Sequence, residues 1–153
     1  MDRKIRAFTL LEVTIVLVIL AILGFLGVSY FQTWKTKHEA TKDISLIFSN
    51  LRLLRMKALT YNKDYDIKLS PDGKKLAVYS NGKITNTIEL HTPFRFSGST
   101  SEISISSGGS INRFTLVSSL AYDGKLKFYP SCIVSNGLVL FTGRWNGKKC
   151  EKQ

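Results

Sequence analysis

The sequence predicts an α+β protein. One long N-terminal helix, membrane-spanning in its first half, packs through its second half on an antiparallel β-sheet. Three observations carry this reading. Residues 13–34 contain no charged side chain. Between Ile44 and Ala58 apolar residues recur at helical spacing. From Asp64 the period shortens to two, and turn residues punctuate the chain. The length, 153 residues, suits one anchor helix plus one small domain.

The apolar run comes first. Residues 8–30, FTLLEVTIVLVILAILGFLGVSY, would form a helix about 34 Å long at ~1.5 Å per residue, enough to cross a hydrocarbon core of ~30 Å. A secretory signal peptide is the competing reading. Its apolar part is usually ~7–15 residues, followed by a small-residue cleavage site. This run is longer, and Phe25, Leu26, Tyr30 and Phe31 offer no such site. Arg3, Lys4 and Arg6 precede the run, with only Asp2 against them. Positive flanks stay in the cytoplasm, so the bulk of the chain is expected on the far side.

Glu12 is the anomaly in this run. A charge near the centre of a spanning helix costs ~2.5–3.5 kcal/mol on insertion scales, so an intramembrane carboxylate is by default a functional hypothesis. A carboxylate near the interface snorkels at little cost, and position alone leaves both readings open. Gly24 and Gly27 also interrupt the run, each weakening a helix by ~1 kcal/mol relative to Ala.

The helix is expected to continue beyond the membrane, over residues 9–60. No proline occurs before Pro71. Ile44, Ile47, Phe48, Leu51, Leu54 and Ala58 follow the i, i+3, i+4, i+7 rule, while Lys42, Ser45, Arg52 and Arg55 fall off that stripe. The stripe reads as the face packed on a globular domain. A coiled-coil seam is the alternative, and the stripe is short for one.

The strands follow. In DYDIKL, Tyr65, Ile67 and Leu69 share one face. Ser70–Gly73 is a turn, KLAVYS a strand, and Asn81-Gly82 a hairpin turn. In KITNTIEL, Ile84, Ile88 and Leu90 alternate with polar residues. After a loop holding Pro93, strands are expected at 94–96, 102–106, 113–118, 125–129 and 137–142, with Gly108-Gly109 and Asp123-Gly124 between some of them.

The net charge is +11, dispersed among acids along the chain. Such a surface suits anionic lipid, nucleic acid or acidic neighbours without choosing among them. Cys132 and Cys150 both lie beyond the apolar run. In an exported domain such a pair reads as a disulfide, closing a loop of about 19 residues worth ~3 kcal/mol in the chain-entropy model. Two metal thiolates are the alternative, but His38 and His91 lie far off in sequence. No His-Glu-x-x-His, Gly-x-Ser-x-Gly or phosphate-gripping glycine loop occurs. The serines at 97–110 read as a turn-rich loop. No catalytic residue, metal site or cofactor is expected, and the chain reads as no enzyme.

A basic leader, small Ala7, then Phe8-Thr9-Leu10-Leu11-Glu12 and an apolar run resembles the prepilin processing motif of type IV pilins and type II secretion pseudopilins. Ala7 stands where that family normally carries Gly. The resemblance implies a leader at 1–7, a transmembrane segment at 8–31, an amphipathic helix half at 32–60 and a β-domain at 61–153. It implies that prepilin peptidase cuts between Ala7 and Phe8 and that Phe8 is then N-methylated. Glu12 would neutralise the Phe8 ammonium of a neighbouring subunit. Each group is costly in lipid alone, and the pair would also fix the axial register between helices. Gly24 and Gly27 mark where the helix would loosen on assembly.

LRLLRMKALTYNKDYDIKLSPDGKKLAVY, with Lys57-Ala58 on the helix, resembles the helix-to-first-strand segment of the GspH/FimT class of minor pseudopilins and minor pilins. LKFYPSCIVSNGLVLF, with Phe128 and Pro130, resembles that class's late Phe-x-Pro strand and the hairpin after it. The resemblance implies a minor subunit of a type II secretion pseudopilus or type IV pilus. Its partners would be other pilin or pseudopilin subunits, prepilin peptidase, the inner-membrane assembly platform and membrane lipid. It would be a single-pass inner-membrane protein with a periplasmic or extracellular domain. The alternative is a DNA-binding minor pilin of the uptake machinery. GRWNGKK would then offer Arg144, Lys148 and Lys149 to phosphates and Trp145 to a base. The terminal Gly-Arg-rich turn of the DNA-binding relatives is expected to be absent or replaced here.

Overall fold

The computed structural model describes residues 9–152, the side chains at 25–29 excepted. The chain divides into two compact units, Met1–Lys35 and Thr36–Gln153. Helix α1, Leu10–Tyr61, is continuous through the described apolar run and the amphipathic stretch. Asn62 ends it in a left-handed conformation, φ 50°, while the Lys63 N–H reaches back to the Ala58 carbonyl at 3.2 Å. Asn tolerates that conformation, and the bond satisfies one of the last carbonyls.

The expected membrane span at 8–31 lies partly outside the described residues, which lack residue 8 and the side chains at 25–29. Among the described residues no helix is long and apolar enough to cross a membrane. Residues 10–24 alone rise only about 22 Å at ~1.5 Å per residue.

Within the second unit, Ala40, Ile44, Ile47, Leu51, Leu54 and Ala58 are all buried, so the helical stripe is core. The sheet predicted as one is two. Strands β1 Tyr65–Leu69, β2 Lys75–Ser80, β3 Lys83–Glu89 and β5 Glu102–Ile105 form a sheet of order β3-β2-β1-β5. Strands β4 Phe94–Phe96, β6 Phe114–Ser118, β7 Cys132–Ser135, β8 Leu140–Trp145 and β9 Cys150–Glu151 form the other, of order β4-β6-β7-β8-β9. All strand pairs are antiparallel. Both sheets give their inner face to the core that α1 covers: Ile67, Val78 and Ile103 from one, Leu116 and Ile133 from the other.

Details depart from the sequence reading for local reasons. Ile84 was expected to share a face with Ile88. The β2–β3 register shifts between Val78 and Tyr79, so Leu76 faces Ile88 but Tyr79 faces Ile84. One extra residue sends the side chains after it to the other face, and Ile84 is 60% exposed. Residues 125–129 form no strand. The Leu126 N–H goes to the Leu120 carbonyl of the short helix α2, Ser119–Tyr122, and Phe128 turns into the core. β8 starts later than the strand expected at 137–142, because Asn136 closes the β7–β8 turn by accepting the Leu138 and Val139 N–H groups.

The β1–β2 turn is set by Gly73, φ +71°. A Cβ there would stand 2.3 Å from the Phe94 carbonyl oxygen, so glycine lets β4 approach. In the same turn the Ser70 hydroxyl and the Lys74 N–H hold the Asp72 carboxyl below its ordinary value.

Candidate functional site

The start of α1 is built by Thr9. Its hydroxyl oxygen accepts the Glu12 N–H at 3.2 Å, and its carbonyl accepts the Val13 N–H at 3.2 Å. Thr9 is thus the N-cap, and Glu12 occupies the third helical position. Thr-x-x-Glu is the spacing of a capping box, and a carboxylate in the first turn faces the positive end of the helix dipole. Glu12 therefore belongs to the helix terminus rather than to its middle, where a charge costs most. Ala7 and Phe8, the expected processing residues, lie outside the described residues.

The C-terminal elements hold the other expected residues. Cys132 and Cys150 form a disulfide, Cα–Cα 6.0 Å and χ3 90°. Cys132 pairs with Gly143 on β8, and Cys150 pairs with Trp145 on the far side of β8. The bridge therefore joins strands two apart, normally ~9.5 Å from each other. Gly143 makes that approach feasible. A Cβ there would meet the Glu151 carbonyl oxygen at 2.4 Å and Cys150 Sγ at 2.9 Å. Among the described residues no group of three or more His, Cys, Asp or Glu is placed to hold a metal.

Trp145 is 8% exposed and packs with Val117 and Cys132. Tyr122 stacks on its ring at 5.6 Å between centroids and 17° between planes. Arg95 lies over the Tyr122 ring, 4.9 Å from its centroid, and 3.6 Å from Asp123. Arg144, Lys148 and Lys149 are exposed around the turn after β8, which Asn146 organises by accepting the Lys148 and Lys149 N–H groups at 2.9 Å. That turn carries its own carboxylate. Glu151 accepts from Asn146 at 2.7 Å, pairs with Lys149 at 3.6 Å and lies opposite Arg144.

One buried polar cluster escaped the sequence reading. Asp43 sits on the core side of α1, 1% exposed. Its Oδ2 accepts the Thr92 N–H at 2.8 Å and the Thr92 hydroxyl at 2.9 Å, and His91 Nδ1 lies 3.0 Å from Oδ1. The carboxylate thus ties the helix to the β3–β4 loop. The signal was present in the spacing: position 43 follows Ala40 by three and precedes Ile47 by four. A carboxylate on the apolar stripe implies a partner on the facing element.

Comparison with known proteins bears on both halves of the chain. The family model described as the prokaryotic N-terminal methylation motif matches residues 2–27. No curated protein matches significantly along its sequence. Two solved structures of the minor pseudopilin EpsH, from the type II secretion system of Vibrio cholerae, are similar in fold. One has a TM-score of 0.51 at 18% identity, over 69% of this chain and 97% of the other. The second has a TM-score of 0.54 at 16% identity, over 70% and 97%. The chain thus joins a prokaryotic N-terminal methylation motif to the pilin-like α+β fold of a minor pseudopilin.

Proposed function

We propose that the chain is a minor pseudopilin or pilin subunit, anchored in the inner membrane by its N-terminal helix. Prepilin peptidase would cut between Ala7 and Phe8 and methylate the new terminus. The subunit would then assemble with other pilins of a secretion or pilus machine, its domain beyond the membrane. The observation that carries this reading is the methylation motif at 2–27, which contains the Thr9 cap, Glu12 and the first turns of α1. After cleavage the Phe8 ammonium would lie one residue before that cap. A neighbour displaced along the axis by about four residues, ~6 Å at ~1.5 Å per residue, would bring its Glu12 level with that cation, which makes both charges tolerable and sets the axial register.

The DNA-receptor reading has less behind it. Trp145 is covered by Tyr122, and Glu151 lies among the cations that would meet phosphate.

Glu12→Ala tests the pairing. Membrane insertion, measured by fractionation, should be unchanged or improved, because a carboxylate has left the apolar run. Incorporation into filaments should fall sharply, because the neighbour's ammonium loses its counter-charge. Filaments that take up the variant as readily as wild type would leave Glu12 as a capping residue alone.

A further inference from the structure

The β7–β8 turn breaks a rule of surface loops. Its tip, Leu138-Val139, is aliphatic, with Leu138 76% exposed. Loop tips are ordinarily polar, and exposed apolar clusters mark contact sites. This tip is also tied by hydrogen bonds within its own turn and to neighbouring segments. Besides the two bonds to Asn136, Arg55 on α1 donates to the Leu138 carbonyl at 3.1 Å. Arg113 donates to the Asn136 carbonyl at 3.2 Å, and the Ile111 N–H to the Gly137 carbonyl at 3.3 Å.

Between this tip and α1 lies a groove of about 570 Å³. Buried Ile111 lines it, with exposed Met56 and the tip beside it, and Arg52 and Arg55 supply its charge. Among the described residues neither arginine lies within ion-pair distance of a carboxylate. Arg52 rests over the Phe48 ring instead, 5.1 Å from its centroid.

We propose that this groove docks another protein through a segment in which apolar side chains lie beside carboxylates, the apolar ones facing the tip and the carboxylates facing α1. The apolar walls select the side chains. The guanidinium groups of Arg52 and Arg55, three residues apart on α1 and neither paired with a carboxylate, select carboxylates beside them on that wall. A second copy of this chain fits poorly, because each copy stays strongly positive even without the leader, which holds only two of its eleven net charges, and two such chains repel each other. The preformed tip lowers the ordering cost of binding. The groove lies wholly in the second unit and would serve such a partner whether or not Glu12 pairs with a neighbour.

The test places the photo-crosslinking residue p-benzoylphenylalanine at Leu138 in the full-length chain, expressed in its native cells. Ultraviolet adducts are digested and the crosslinked peptide is sequenced. The expected product is a different protein, joined at a segment carrying Asp or Glu beside the crosslinked apolar residue. Arg52→Glu leaves the Arg55–Leu138 bond in place and should lower the adduct yield by roughly tenfold or more, since like charge at an interface costs several times RT. Arg52→Lys, which keeps the charge but not the planar fork, should give a yield between those of wild type and Arg52→Glu. Retention of the Cys132–Cys150 disulfide in each variant serves as the check on folding. Adducts only to lipid or to another copy, no adduct, a segment without carboxylates, or a yield indifferent to Arg52→Glu would each overturn the proposal.

Discussion

Asp43→Ala tests whether the buried carboxylate holds α1 to the sheets. Removing it leaves the Thr92 N–H and hydroxyl, both on a residue 4% exposed, without their acceptor. Each unsatisfied buried donor costs ~1–3 kcal/mol, so the pair gives ~2–6 kcal/mol. The relief of a buried charge offsets part of this, and removal of one partner from buried ion pairs costs ~3–5 kcal/mol elsewhere. The expected loss is about 3 kcal/mol. The assay is denaturant unfolding of the Trp34→Phe chain in detergent, with the same background for every variant, followed by the fluorescence of Trp145, which is buried in the second unit against Val117 and Cys132. Thr92→Val and the double variant complete a cycle. Because the two residues share their hydrogen bonds, the double variant should cost less than the sum by ~1 kcal/mol or more. A loss below ~1 kcal/mol, or strict additivity, would refute the clamp.

Two further predictions concern the C-terminal elements. Gly143→Ala should force β9 away from β8, leave part of the protein with alkylatable thiols, and lose up to the ~3 kcal/mol the disulfide contributes; full oxidation with unchanged thermal stability would refute the crossing geometry. Changing Arg144, Lys148 and Lys149 together to Gln should affect duplex-DNA binding no more than changing Lys74, Lys75 and Lys83. Tight binding that falls steeply with salt and is lost only in the first triple variant would instead favour the DNA-receptor reading.

The sequence was most legible where one period runs uninterrupted. The stripe from Ile44 to Ala58 predicted the buried face of α1, and the alternation Tyr65, Ile67 predicted β1. It was least legible where pairing partners decide. Residues 125–129 alternate like a strand but find α2 rather than a ladder, while β7 begins at a cysteine just after Pro130. The β2–β3 bulge that exposes Ile84 has no local signature in KITNTIEL. At the site, Cys132 and Cys150 were readable as a pair because nothing else in the chain could partner them. Gly143, which makes their bridge feasible, was not, since its role exists only once β7, β8 and β9 are side by side. Trp145 read as part of a solvated loop tied down by Cys150, and as a stacking platform beside three cations only in the alternative DNA-receptor reading. Its neighbour Tyr122 comes from 23 positions away in the chain and covers the ring. Asp43 stood out of its stripe, but only the fold supplies Thr92 and His91.

The central claim is that this chain is processed at the Ala7–Phe8 bond as a pilin-like subunit. Intact mass measurement of protein isolated from its native membrane tests it most directly. The account predicts a mass lower by residues 1–7, higher by one methyl group at Phe8, and consistent with one disulfide. A full-length, unmethylated mass from cells with an active prepilin peptidase would contradict it.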